Sequence, residues 1–209
     1  MDQPTDNHWL SIPLAEYEGH MNAPMVDQLS VLSALFGEAL LLRKPASVAV
    51  LGVAGGNGLE RIDPAQVRRI VGVDCNSDYL AAVRARFSAL PGLELHCADL
   101  CRQTLAIEPV ELVHAALIFE HAGLERCLEN ALQLRAAGGA LSVVLQLPYA
   151  SAQAVSPTGY ASIQRLSAGF AFVEPDRLSA LLASRGLQLT RASRTPLPGG
   201  KAFWSGVFL

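Results

Sequence analysis

Residues 48–60 read VAVLGVAGGNGLE, an aliphatic run that flows without a break into a cluster of glycines and then into helix-forming residues. A strand that turns through glycines into a helix brings backbone N–H groups close to a ligand with no side chains in the way. Gly52, Gly55, Gly56 and Gly58 supply the tight turn and the close approach. Taken alone, such a turn is a moderate signal, because glycine-rich turns also occur where no ligand binds.

Working outward, the segments on either side alternate between two patterns. SVAVLG (47–52), RIVGVD (69–74), LELHCADL (93–100), ELVHAALIF (111–119) and ALSVVLQLP (140–148) are short apolar runs rich in β-branched residues. Between them lie helical stretches at Leu59–Ile62, Ser77–Ala89 and Leu124–Arg135, with Gly138 and Gly139 as the stop of the last. Apolar strands alternating with helices predict a parallel sheet buried on both faces. Upstream, Pro4, Pro13 and Pro24 break the first two dozen residues, which read as irregular. An amphipathic helix follows from Met25 to Arg43, with Pro24 in its first turn and Pro45 ending it. Downstream, SAQAVSPTGY (151–160) reads as a loop and Pro175–Arg185 as a helix stopped by Gly186. LQLTRAS (187–193) and KAFWSGVFL (201–209) form an antiparallel hairpin around TPLPGG (195–200).

The bulk properties bound the answer. The 209 residues, 51% hydrophobic and 17% charged, suffice for one domain with a full core. No apolar run is long enough to span a bilayer, and the acidic, polar start does not resemble a secretory signal. A cytoplasmic location is the default expectation. A net charge of −3, only two lysines (Lys44 and Lys201) and scattered arginines disfavour nucleic acid as a partner. Cys75, Cys97, Cys101 and Cys127 form no CxxC pair, so reduced cysteines and no metal site are expected. The oligomeric state is not legible.

Two acids raise the value of the glycine turn. Asp74 ends the second strand about 20 residues on, where an acidic residue accepts hydrogen bonds from ribose hydroxyls in dinucleotide folds. Asp99 follows the third strand, at the sheet edge where ligands bind. Each also has a plainer reading, Asp74 as a helix cap and Asp99 as a turn former. The spacing Gly52, Gly56, Gly58 matches that of short-chain dehydrogenases too. Their Tyr–Lys pair is missing, because Tyr149 and Tyr160 are followed four residues later by Gln153 and Gln164.

The set LGVAGGNG, VGVDCNSDYL, HCADL and VELVHAALIFEHAG resembles class I S-adenosylmethionine-dependent methyltransferases. The resemblance implies an α/β, Rossmann-like doubly wound sheet of seven strands, mostly parallel, with the antiparallel hairpin at its edge. It implies one domain over 1–209: a cap segment and helix (1–44), a cofactor-binding core (45–148), and a substrate-side loop, helix and hairpin (149–209). The implied activity is S-adenosylmethionine-dependent methyl transfer to a small-molecule acceptor by in-line displacement. The alternative is an inactive methyltransferase-like binding or regulatory domain.

Position by position, the resemblance places Gly52, Val53, Ala54, Gly56 and Asn57 under the methionine part of the cofactor. Asp74 would hold the ribose, Cys75 would pack on the adenine, Asp99 would accept from its amino group, and the Leu100 N–H would meet the ring. Tyr17, His20 and Met21 would fold over the active site, and Tyr160 would face the substrate. His121 is a candidate general base or orienting group beside Glu120. His96 and His114 read as structural, and Phe203, Trp204 and Phe208 as core. The family's acid two residues before the first glycine is replaced by Val50, and its middle glycine by Ala54, with Glu60 as a substitute acid.

Overall fold

The computed structural model describes residues 7–149 and 153–209. Its sheet has seven strands: β1 (Ser47–Leu51), β2 (Arg69–Asp74), β3 (Leu93–Cys97), β4 (Val110–Ala116), β5 (Arg135–Gln146), β6 (Leu189–Pro196) and β7 (Ala202–Phe208). They lie in the order β3-β2-β1-β4-β5-β7-β6, parallel from β3 through β5. β7 runs antiparallel to both β5 and β6. The seven-stranded sheet with its edge hairpin is the one the sequence predicts.

Helices cover both faces. They are α1 (Leu14–Met21), α2 (Gln28–Arg43), α3 (Ser77–Arg86), α4 (Phe119–Ala122), α5 (Leu124–Leu134), α6 (Ala161–Gln164) and α7 (Pro175–Ser184). Period-two alternation divides each strand between the two layers. Ala49, Leu51, Val71, Val73, Val113 and Ala115 face Leu128 and Leu134 of α5 and Leu178 and Leu182 of α7. Val48, Val50, Ile70 and Leu112 face Phe36, Ala39 and Leu40 of α2 and Leu80 and Val83 of α3. Each valine, leucine, isoleucine or phenylalanine among them taken fully from water contributes about 1.5–3 kcal/mol, so these strands need no help from local propensity.

Several boundaries differ from the sequence expectation. Gly138 and Gly139 do not stop a helix: α5 ends at Leu134, and both glycines lie inside β5. Between the pairs Val110↔Arg135 and Leu112↔Ala140 the register shifts, and Gly138 adopts φ +73° there. A Cβ on Gly139 would lie 2.9 Å from the carbonyl oxygens of Ala136 and Glu111, which is why this bulge is made of glycine. The first two dozen residues are not all irregular, since a 3-10 turn (His8–Ser11) and α1 occupy part of them. α2 begins at Gln28 rather than Met25, behind Asp27, whose carboxylate accepts from the Ser30 hydroxyl at 2.8 Å. Of the stretch 151–160, residues 151 and 152 lie outside the described residues. A short α6 and a 3-10 turn (Arg165–Ala168), both unforeseen, come after it.

The four cysteines are free, and the described residues contain no cluster of three potential metal ligands. Among the described residues no helix is long and apolar enough to cross a membrane.

Candidate active site

Five parallel strands end on one rim, and the antiparallel β7 begins there. A cavity opens along it, with about 1060 Å³ of empty space, part of it continuous with solvent. Its floor is made of residues that follow the strands: Gly52 and Ala54 after β1, Asp74 and Cys75 at the end of β2, Ala98 to Cys101 after β3, and Leu117 and Ile118 after β4. Gln146 of β5 and Lys201, just before β7, line the far end.

Positive-φ residues collect at this rim. Gly52, Ala54, Gly56 and Gly58 all have positive φ, as does Leu117, a large residue for which that conformation is unfavourable. A Cβ on Gly52 would come within 2.9 Å of Ile118 Cδ1. Val50 has its side chain in the core beneath α2, so a carboxylate at that position would be buried away from the cavity. The residue at the cavity wall is Gly52, two residues ahead of Ala54, with which the alternating Ala54, Gly56, Gly58 turn begins. Glu60 does not line the cavity. Its carboxylate accepts from the Ser33 hydroxyl at 2.5 Å and from the Gly58 N–H at 2.8 Å.

Asp74 is 8% exposed and tied at both oxygens. Oδ2 accepts from Ala54 N at 2.9 Å and Oδ1 from Asn76 N at 2.9 Å. Burial raises its pKa, against the lowering pull of those backbone N–H groups. The helix-cap role falls to Asn76, whose side chain accepts from Asp78 N and Tyr79 N. Asp99 accepts from Cys101 N at 2.9 Å and from Asn7 Nδ2 at 3.2 Å. Both acids therefore make turn bonds while lining the cavity. Cys75, whose thiol burial pushes up to about 12, and Leu100 line the same end. Val53, Gly56 and Asn57 lie outside the wall; the Asn57 side chain donates to the Leu29 carbonyl instead.

A roof of N-terminal residues closes the cavity. Asn76 Nδ2 donates to the Trp9 carbonyl and the Tyr79 hydroxyl to the Ile12 carbonyl, both at 2.9 Å. Arg86 holds Glu18 of α1 through both guanidinium ends and donates to the Gly55 carbonyl at 3.1 Å. Tyr17, His20 and Met21 all line the cavity, as does Trp9. Tyr160 does not. Its ring packs against Gly19, where a Cβ would meet the hydroxyl at 2.3 Å.

His121 lines the cavity between two aromatic rings, Trp9 and Phe170, each with its centroid 5.0 Å away and nearly perpendicular. Burial lowers its pKa to about 4, so it is neutral at pH 7 and a weak base. Glu120 points away from the cavity. One oxygen accepts from Gln146 N at 2.8 Å, the other is buried without a partner, and burial raises its pKa to about 7.

The β5/β7 end has a different chemistry. Lys201 is 8% exposed, and its Nζ donates to the Ala154 carbonyl at 2.7 Å. Gln146 Nε2 donates to the same carbonyl at 2.8 Å, and Gln28 approaches Gln146 Oε1 at 3.5 Å. His20 Nδ1 lies 2.8 Å from the Thr158 hydroxyl, and burial, with Lys201 nearby, lowers its pKa to about 4. Sequence reasoning missed Lys201, Gln28, Gln146 and Trp9. The available signal was a lysine opening the apolar strand KAFWSGVF.

No family model matches the chain, and no curated protein matches it in sequence. Solved structures match in fold. N-methyltransferase NodS from Bradyrhizobium japonicum WM9, in complex with S-adenosylhomocysteine, superposes with a TM-score of 0.70 at 14% identity over 97% of this chain and 98% of its own. Magnesium protoporphyrin IX methyltransferase (ChlM) from Synechocystis PCC 6803, with bound S-adenosylhomocysteine, gives 0.73 at 8% identity, covering 96% and 95%. The [4+2]-cyclase SpnF gives 0.64 at 13% identity, covering 85% and 78%. The fold is that of class I S-adenosylmethionine-dependent methyltransferases, as the sequence motifs imply.

Proposed function

We propose that this protein binds S-adenosylmethionine and transfers its methyl group to a small-molecule acceptor. The observation that carries the reading is the pair of carboxylates, Asp74 and Asp99, at successive strand ends on the wall of one roofed cavity beside a strained glycine turn. The residues fit the cofactor. Asp74 and Asp99 offer acceptors for ribose hydroxyls and an adenine amine, Cys75, Ala98, Leu100 and Ile118 offer apolar walls, and Gly52 leaves space that a side chain would fill. NodS and ChlM, which share the fold, hold S-adenosylhomocysteine.

When bound, the cofactor supplies a methyl group already activated on a sulfonium. The chain's task is to orient the acceptor and exclude water. The roof of Trp9, Tyr17, His20 and Met21 performs the exclusion. His20 and His121 are both held neutral with pKa values near 4, so the site suits an acceptor that needs no strong base.

Calorimetric titration with S-adenosylmethionine and S-adenosylhomocysteine, with NAD as control, tests the reading. Micromolar binding of both adenosyl ligands, weakened at least tenfold by Asp74→Ala and absent for NAD, is the expected result. Failure of both to bind would refute it. A second reading, a binding domain without methyl transfer, draws on Val50 and Ala54, which stand in place of the family's acid and middle glycine, and on SpnF, a cyclase of the same fold. Cofactor binding without turnover on any acceptor would favour it.

A further inference from the structure

Lys201 is, among the described residues, a buried cation without a counter-charge. Among the described residues, none of its contacts is an ion pair, and burial is what lowers its pKa, to about 8, leaving it mostly protonated at neutral pH. Isolated buried charges are expensive, and proteins pair them or place them where a ligand will. Only one of its three protons is accounted for among the described residues, by the Ala154 carbonyl.

The acids that line the cavity, Asp74 and Asp99, stand on the wrong side to serve it. Asp74 ends β2 and Lys201 precedes β7, four strand spacings away in the order β2-β1-β4-β5-β7, roughly 19 Å. The Lys201 end is instead rich in neutral polar groups: Gln28, Gln146 and the neutral His20. Gln28 and Gln146 are each about 5% exposed, so they too are committed to the interior. Between the two ends the wall is apolar, formed by Met21, Ala116, Leu117 and Ile118.

We propose that the β5/β7 end of the cavity takes an acceptor carrying an oxyanion, a carboxylate or a phosphonate-type group, with Lys201 as its counter-charge and Gln28 and Gln146 beside it. This rests on the methyltransferase reading for the word acceptor. The anion site itself stands on the geometry of Lys201 alone. A small molecule with an apolar body and one anionic group matches the sequence of walls from Leu117 to Lys201.

The test is calorimetry with three probes of similar shape, benzoate, phenylphosphonate and neutral benzamide, on the protein with and without S-adenosylhomocysteine. The expected result is that at least one anion binds tenfold or more tightly than benzamide, and that Lys201→Met or Lys201→Gln removes the preference while S-adenosylhomocysteine binds as before. The stronger of the two anions identifies the oxyanion class. Equal binding of anions and benzamide, no binding of any probe at millimolar concentration, or a preference that survives loss of Lys201 would overturn the proposal. So would a tenfold loss of S-adenosylhomocysteine affinity in both variants, which would assign Lys201 to the cofactor's own carboxylate. The preference is readable in the unaltered protein if the variants fail to fold. Because the probes are titrated without adenosyl ligand as well, failure of the cofactor reading leaves this result separate.

Discussion

Glu120 shows how a single side chain carries a measurable consequence. Burial raises its carboxyl from the ordinary 4.5 to about 7 while one oxygen ties the end of β5 through Gln146 N. A raised pKa means the native state favours the protonated acid. That contribution is fully present below about pH 4.5 and is lost as pH rises through 7, a difference of roughly 3 kcal/mol. Urea unfolding between pH 5 and pH 8 is expected to show Glu120→Gln gaining on the parent protein as pH rises, because the amide never ionises. Identical pH slopes would refute this account. At the same scale, position 50 is explained by strand alternation. It sends Val50 into the core beneath α2 and leaves Gly52 on the cavity wall. Ala54, which stands in place of the family's middle glycine, holds φ +46°, a conformation more often taken by glycine.

Among the elements, α1 was the least legible and is the most consequential. Eight residues between Pro13 and Asn22 give little periodicity, and the helix is secured by tertiary bonds instead: Arg86 to Glu18, with Arg86 reaching on to the Gly55 carbonyl. Helices this short are marginal on their own. Glu18→Ala is therefore expected to loosen the roof without unfolding the sheet. The pair is partly exposed, so the effect is about 1 kcal/mol or less. Hydrogen exchange should quicken up to about fivefold across Leu14–Met21 and stay unchanged in β1 and β4. Uniform acceleration would show that α1 does not open independently. The strands, by contrast, were plain in the sequence, because burial on two faces leaves near-continuous aliphatic runs. The β5 bulge was not, since glycine pairs mark helix ends and bulges alike.

For the whole molecule, the proposed cofactor binding would be linked to stability. If only the folded chain binds S-adenosylhomocysteine, ligand at a hundred times its Kd adds about 2.7 kcal/mol. For a chain of this size that raises Tm by roughly 5–11 °C. Thermal scans with and without ligand check this, and an unmoved Tm at saturation would contradict it. The order β3-β2-β1-β4-β5-β7-β6 also separates the rim into a side bearing Asp74 and Asp99, which was readable in the sequence, and a Lys201 side, which was not. Lys201 escaped because β7 runs against its neighbours, so the start of a strand, not its end, reaches the cavity. It is aimed by a tight surface turn, in which Gly200 N donates to the Leu197 carbonyl at 3.1 Å and Leu197 N to the Lys201 carbonyl at 2.9 Å. The two sides of the rim are therefore built by separate segments of the chain. Insertions or deletions in the five-residue connection 197–201, at the cavity rim, would displace Lys201 while leaving the residues that follow β1, β2 and β3 where they are.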